Sequence, residues 1–239
     1  MTTRGTRRIV LLFTFAAGSV DAVAYMAVHV FTANMTGNAV LMGIYVGQGH
    51  GTAVLHSLLA LIVFIGGVVL GAILAGVGGD RAKTLAAVHR EVLVETAILA
   101  LFAASFLLPL PVQGRVVSAL LIIFSALAMG LQSAAVRRLH LPGIATTYIT
   151  GTLTNLVFGL TQHWGSRRRM ASSSPEDRTA AASLRRFLVL QAQVFLCYAL
   201  AALVSGALYL HWPSGVAWLP VIAIGAVAVM MSRRPAPAE

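Results

Sequence analysis

Long apolar runs recur along the whole chain, and they restrict its fold more than any other feature. Six of these runs are long enough to cross the hydrocarbon core of a bilayer, about 30 Å thick, as single helices. They are residues 8–30, 53–77, 91–109, 115–135, 184–210 and 216–232. Only 10% of the residues are charged, whereas soluble domains average about 25%. The sequence therefore predicts an all-α polytopic membrane protein, with residues 1–239 as a single membrane domain.

Two further apolar runs are too short to cross as helices. At about 1.5 Å per residue, the run 36–48 would extend about 20 Å and the run 148–163 about 24 Å. Each carries a Thr-Gly pair at its head, in the stretches NMTGN and YITGT. The short runs therefore either cross in an unusual way or enter the membrane and turn back.

The distribution of basic residues favours turning back. If both short segments are re-entrant and the N-terminus is cytoplasmic, 16 of the 17 basic residues lie on the cytoplasmic side and Arg115 lies outside. If both segments cross, the division becomes 12 against 5. Because basic residues concentrate in cytoplasmic loops, we expect six spans, two re-entrant helices and two cytoplasmic termini. The polar stretch 163–183 then forms a cytoplasmic connector, and the first span is expected to be uncleaved because its apolar run continues past Gly18.

The two halves of the chain align weakly as an internal repeat, residues 8–109 and 115–232. Each half reads as span, short helix, span, span, so an odd number of spans inverts the second half relative to the first. The aligned positions are Gly18 with Gly130, Asp21 with Ser133, Ala22 with Ala134, and Thr36-Gly37 with Thr150-Gly151. Inverted repeats with broken helices are common among transporters. The alternative explanation of the similarity is a shared apolar composition.

The stretches GSVDAVAYMAVHVFTANMTGN and GLQSAAVRRL…TTYITGTLTN resemble the YoaK family of bacterial integral membrane proteins, whose function is unknown. The resemblance covers nearly the entire chain. It implies a protein of the bacterial inner membrane and gives no substrate. The family usually carries Asn after the Gln of the second stretch. Here Ser133 follows Gln132, which weakens a polar role for that position.

Asp21 is the leading candidate for a functional residue. It lies thirteen residues after Arg8, about 20 Å along a helix, and therefore well inside the bilayer. A charge there costs at least about 2.5–3.5 kcal/mol on insertion scales. Asp21 is either a proton or cation site, or a structural acceptor of hydrogen bonds from Thr, Asn or a tyrosine such as Tyr25.

The Thr-Gly helix ends form the second candidate site. A helix that begins inside a membrane exposes N–H groups without intrahelical partners and presents the positive end of its dipole. Two such ends approaching from opposite faces would form a midplane site for an anion or small polar solute. The site would use Asp21, Thr36, Gly37, Asn38, Thr150, Gly151 and Thr152, surrounded by Asn34, Tyr25, Tyr148, Thr154, Asn155, Gln132 and Ser133. Alternatively, the polar side chains cap their own helices and bind nothing.

The remaining polar residues favour ordinary structural roles. Glu95 is expected to pair with Arg90 or Arg81, and Arg137 and Arg138 to act as topology anchors. The histidines lack the spacing of a helical metal site, so we expect no metal and no cofactor. The net charge of +10 lies in short segments between apolar runs, so no nucleic-acid partner is expected.

The sequence therefore predicts a small-solute or ion transporter or channel, with the lipid bilayer and a small polar solute, an anion or a proton as partners. No catalytic residues are identified, and the chain is not expected to be an enzyme. The alternative is a non-transporting membrane scaffold or accessory protein. Homo-oligomerisation is left open by the sequence.

Overall fold

All regular secondary structure in the described part of the chain is α-helical. The computed structural model describes residues 4–76, 81–112, 114–138, 149–167 and 175–233. Within these ranges the chain forms nine α-helices and no strand. The helices are α1 (Arg4–Val28), α2 (Met35–Gly47), α3 (Gly51–Ala75), α4 (Arg81–Ser105), α5 (Arg115–Arg138), α6 (Ile149–Arg167), α7 (Pro175–Tyr209), α8 (Pro213–Val216) and α9 (Leu219–Ser232).

Several of these helices are long and apolar enough to cross a membrane. Five such segments occur among the described residues: Gly5–Val28, Gly51–Ala75, Arg115–Arg138, Thr179–Tyr209 and Pro213–Ser232. The prediction of an all-helical protein with several helices able to cross a membrane is therefore confirmed for the described residues. Helix α4 also has 25 residues, but it is not among these five segments. Its charged residues Arg90, Glu91 and Glu95 make it more polar than they are.

The observed helices differ from the predicted runs mainly at charged ends. Helix α2 matches the short run 36–48 closely, whereas α6 continues to Arg167, four residues beyond its predicted end. Helix α4 begins ten residues before its predicted span, and α7 begins at Pro175, inside the predicted connector. Hydropathy marks where a helix becomes apolar, but hydrogen bonding of the backbone continues into polar sequence.

Helices α1 and α7 run parallel in a fixed register. Three of the hydrogen bonds between them each link residues 186 positions apart in the sequence. The pairs are Arg7 with Gln193 at 2.8 Å, Leu11 with Cys197 at 3.4 Å, and Ser19 with Ser205 at 2.7 Å. Gly18 lies at the closest approach, because a Cβ there would be 2.5 Å from the carbonyl oxygen of Tyr198.

Helices α3 and α5 form a second parallel pair that is also packed through small residues. A Cβ on Gly67 would overlap the carbonyl oxygen of Leu127, and a Cβ on Gly130 would overlap that of Phe64. One turn further along both helices, a Cβ on Gly71 would lie 2.6 Å from the Cβ of Ala134. The absence of side chains at the crossing therefore lets the two backbones touch.

The central helices α1 and α5 run in opposite directions. The Gln132 side chain near the end of α5 donates to the carbonyl oxygen of Phe13, in the first half of α1, at 3.1 Å. The far end of α1, at Val23 and Ala27, shares a buried cluster with Val117 near the start of α5. Both helices are mostly buried, whereas only a small part of α3 is buried. The apolar outer face of α3 therefore suits contact with lipid.

The close crossing of α3 and α5 generates a first prediction. Gly67→Ala should lower the free energy of unfolding by about 1–3 kcal/mol, the usual cost of overpacking a tight contact. Gly66→Ala is a matched control, because a Cβ on Gly66 meets no heavy atom within 4 Å. Thermal unfolding of the two purified variants in detergent measures the difference. Equal unfolding midpoints for both variants would contradict the close contact.

Candidate functional site

Asp21 holds a reversed segment of backbone against α1. Its side chain is only 2% exposed, and its Oδ1 accepts the backbone N–H groups of Thr32 and Ala33, both at 2.7 Å. Asp21 lies seven residues before the end of α1, about 10 Å back along the helix. The chain therefore leaves α1 at Val28, turns at His29 with a left-handed φ of 58°, and returns to the level of Asp21.

A tyrosine from α7 completes the partners of Asp21. The hydroxyl of Tyr198 donates to Asp21 Oδ2, so a carboxyl group removed from water receives three hydrogen bonds. The sequence suggested Tyr25 for this contact, and that suggestion is wrong. Tyr25 is 37% exposed, and its ring stacks on Phe31 with centroids 4.9 Å apart. Tyr25 therefore packs against the turn without bonding Asp21.

Asn38 fixes the same turn from the other side. Its side chain is fully buried, its Oδ1 accepts the backbone N–H of Phe31 at 2.9 Å, and its Nδ2 donates to the Phe31 carbonyl at 2.6 Å. Gly37 faces the Phe31 ring, where a Cβ would lie 2.9 Å from a ring carbon. Both residues therefore hold Phe31 in place, and the amide of Asn38 is engaged within the protein.

The first turn of α2 is capped by its own chain. Asn34 is the N-cap residue, and its Oδ1 accepts the backbone N–H of Gly37 at 3.2 Å. Thr36 is exposed, and the cap is made by Asn34 instead. The self-capping expected from the sequence is therefore present at α2, and it leaves Thr36 at an open surface.

Helix α6 also carries a Thr-Gly pair in its first turn. Thr150 is exposed at its start, and Thr152 is 1% exposed one residue after Gly151. Thr154 and Asn155 are exposed on the following turn, and the Thr154 hydroxyl donates to the Thr150 carbonyl at 3.0 Å. Tyr148 lies outside the described residues.

A cavity of about 450 Å³ brings the two helix N-termini together. Helix α2 contributes its N-terminal segment, α6 its first residues, and α3 and α7 one side chain each. The lining residues are Ala33, Asn34, Met35, Thr36, Phe64, Ile149, Thr150 and Tyr198. The predicted residues Thr36 and Thr150 thus face one space, and Asp21 lies behind it, joined to the wall through Tyr198.

Two predicted neighbours of the site serve helix packing instead. Gln132 is fully buried, and its Nε2 bonds the Phe13 carbonyl, which links α5 to α1. The Ser133 hydroxyl donates to the Met129 carbonyl of its own helix at 2.8 Å. Neither residue is among the described residues that line the cavity.

The cavity can hold an uncharged polar solute or an anion. Its lining offers hydroxyl and amide groups but no formally charged side chain among the described residues. Each helix N-terminus contributes a partial positive charge, about half a unit for a long helix. A volume of about 450 Å³ lies within the range of about 300–1,000 Å³ that is usual for small-molecule sites.

Sequence reasoning missed the charged contacts of α4. Glu95 was expected to pair with Arg90 or Arg81, but Arg90 donates to the Leu74 carbonyl at 3.1 Å and Arg138 pairs with Glu91. Arg138 was expected to be a topology anchor, and the structure adds an ion pair with Glu91 that the sequence did not indicate. The pair joins residues 47 positions apart, which no local spacing signals.

Comparison with known proteins identifies the family. Residues 9–230 match the family described as "Protein of unknown function (DUF1275)", so the chain belongs to the DUF1275 family. The chain is 31% identical to the UPF0700 transmembrane protein YoaK of Bacillus subtilis (strain 168). The alignment spans 237 residues, which are 98% of this chain and 97% of YoaK. The resemblance to the YoaK family is thereby confirmed. No solved structure matches the chain.

The contacts of Asp21 generate a second prediction. Asp21→Ala should lower the free energy of unfolding by about 3 kcal/mol, because it leaves two buried N–H groups without an acceptor. Tyr198→Phe should cost about 1–2 kcal/mol through the loss of one hydrogen bond to a carboxyl group. Tyr25→Phe is the matched control and should be neutral. Chemical unfolding in detergent measures all three, and a Tyr25→Phe effect as large as that of Tyr198→Phe would refute the assignment.

Proposed function

We propose that this member of the DUF1275 family is a transporter or channel for a small polar solute or ion, with its binding site in the cavity between the N-termini of α2 and α6. The observation that carries the proposal is the meeting of Thr36 and Thr150 at one cavity. The proposed function includes no catalytic step, and we therefore propose that the protein is not an enzyme.

The electrostatics of the site favour a small anion or an uncharged polar solute over a cation. Two helix N-termini direct partial positive charge at the same space, and exposed hydroxyl and amide groups of Thr36, Thr150 and Asn34 can bond the solute. Phe64 and Met35 supply apolar walls. Few polar groups within an apolar lining is the usual composition of a specific small-molecule site.

In this proposal Asp21 acts by positioning. It holds Thr32 and Ala33, and Ala33 together with Tyr198 forms part of the cavity wall. A change at Asp21 would therefore reach the solute through the shape of that wall. Asp21 remains a candidate for a proton-linked group, since Tyr198 connects it to the site by one hydrogen bond.

The proposal includes the full architecture: six spans and two re-entrant helices in an inverted repeat of residues 8–109 and 115–232. It is supported by the opposite directions of α1 and α5 and by equivalent packing in the two halves. Helix α1 packs on α7 and α5 on α3, while α2 packs on α3 and α6 on α7. The aligned residues Gly18 and Gly130 each lie at one of the two parallel crossings. Shared apolar composition alone would not give matched crossings.

We further place the protein in the bacterial inner membrane with both termini cytoplasmic. The support is the division of basic residues, 16 of 17 on one side, together with the positive-inside tendency. In this orientation α2 enters from the outer face and α6 from the cytoplasmic face.

Transport tests the function directly. The purified protein, reconstituted in liposomes, is screened for flux of small anions, polar metabolites and cations. Thr36→Val and Thr150→Val should each reduce the flux of the transported solute about tenfold, the effect of losing one hydrogen bond of roughly 1.4 kcal/mol. Thr161→Val is the matched control, since Thr161 is exposed on α6 and bonds only the Phe158 carbonyl at 2.7 Å in its own helix.

Two results would count against the transport proposal. The first is no flux of any solute by protein that elutes as a folded species, which would favour a scaffold or accessory role. The second is an equal loss of flux in all three threonine variants, which would remove the cavity from the mechanism.

Accessibility to a membrane-impermeant maleimide tests the orientation. The chain has one cysteine, Cys197, and it is partly buried, so a Cys197→Ser background is practical. Gln48→Cys and His211→Cys should react in intact cells, and Ser183→Cys should react only after the membrane is opened. All three positions are exposed, so differences in labelling report sidedness. Labelling of Ser183→Cys in intact cells would overturn the proposed topology.

A further inference from the structure

Two carboxyl groups lie buried one turn apart on α4, away from the cavity. Glu91 and Glu95 are both 0% exposed, and their spacing places them on the same face of the helix. This face packs against α5, and α4 also contacts α9 and α3. None of the residues that line the cavity between α2 and α6 belongs to this cluster. The two carboxyl groups are therefore separate from the cavity.

One cation from α5 reaches the pair. Arg138 donates from Nη1 to Glu91 Oε1 and from Nη2 to the Gly71 carbonyl at 2.9 Å. The Arg138 side chain is 22% exposed, so it connects the buried carboxyls to the surroundings. A single guanidinium thus binds α4 and α3 at the same time.

Glu95 has no comparable partner. Both of its carboxyl oxygens are buried and accept no hydrogen bond from the described residues. Glu91 Oε2 is also buried and also accepts no hydrogen bond from them. Two ionised carboxylates and one guanidinium would leave an uncompensated negative charge in the interior, which is far more costly than protonation. Repulsion between the carboxylates, one turn apart, adds to that cost.

The other titratable groups on the surrounding helices lie elsewhere. On α5, Arg115 and Arg137 are exposed, and Arg115 is at the opposite end. On α3, His56 is fifteen residues from Gly71, about 22 Å along the helix. Helices α8 and α9 contain no titratable residue.

The remaining titratable residues of α4 lie on other faces or on earlier turns of the helix. His89 is rotated about 200° from Glu91, and Arg90 is exposed and bonds the Leu74 carbonyl. Arg81 and Lys83 begin the helix more than two turns before Glu91. Arg138 is therefore the counter-ion that contacts the pair within the described part of the chain.

We infer that Glu91 and Glu95 form a proton-binding site, with one proton held on Glu95 and with Arg138 as the counter-ion of Glu91. A proton fits better than a metal ion, because the described residues contain no group of three His, Cys, Asp or Glu side chains that could ligate one. When the proton leaves Glu95 for water, the new carboxylate competes with Glu91 for the Arg138 guanidinium. Since Arg138 also holds Gly71, proton release alters the contact of α4 and α5 with α3.

Infrared spectroscopy of the purified full-length protein tests the inference independently of any transport. The wild-type protein at neutral pH should show the carbonyl stretch of one protonated buried carboxyl, which shifts in D₂O and disappears on alkalinisation. Glu95→Gln, which keeps the shape of the neutral acid, should abolish this band and leave the unfolding midpoint unchanged. Arg138→Gln should increase the band, because neither carboxyl then contacts a guanidinium and both bind protons.

Asp21→Asn is the matched control and should retain the band, since it alters a buried carboxyl at a different place. The absence of a protonated carboxyl in the wild-type spectrum would overturn the inference without any variant. Persistence of the full band in folded Glu95→Gln, or its loss in Asp21→Asn alone, would overturn the assignment to Glu95.

Discussion

A backbone that leaves its helix in an apolar environment must find partners for its exposed N–H and carbonyl groups, and in this protein Asp21 meets that requirement. Its carboxyl group receives two N–H groups of the returning chain and the hydroxyl of Tyr198. The direction of α2 follows from this contact, because Thr32 and Ala33 are fixed two turns below the end of α1. Without such an acceptor, the turn would expose its backbone or move to the end of the helix.

The same contact links the two halves of the chain. Tyr198 belongs to α7, 177 residues after Asp21, and it also lines the cavity where α2 and α6 begin. Asn38 and Gly37 hold Phe31 from the opposite side. The N-terminus of α2 is thus positioned by buried polar contacts, while Thr36 remains open to the cavity. Asn34 caps α2 and also lines the cavity, so structural capping and an open polar surface occur at the same helix end.

The sequence predicted the features that depend on local pattern. The apolar runs gave the helices, the short run 36–48 gave α2, and the Thr-Gly pairs pointed to Thr36 and Thr150, which meet at one cavity. It could not identify Tyr198 as the partner of Asp21, because a tyrosine in an apolar helix carries no local sign of its contact. The sequence also did not reveal the pairing of Arg138 with Glu91. Arg90 lies nearer to Glu91 in the sequence, but it bonds the Leu74 carbonyl instead. Contacts between distant helices depend on how those helices pack, and one sequence alone does not specify that packing.

The two glycine crossings also have a mechanical consequence. The α1–α7 contact is fixed in register by three hydrogen bonds, and α3–α5 is fixed by backbones in direct contact at Gly67 and Gly130. Sliding within either pair would break these contacts, so both pairs resist it. Tyr198 on one pair and Phe64 on the other both line the cavity. A rocking motion between the pairs would therefore change the shape of the cavity while both crossings stay intact.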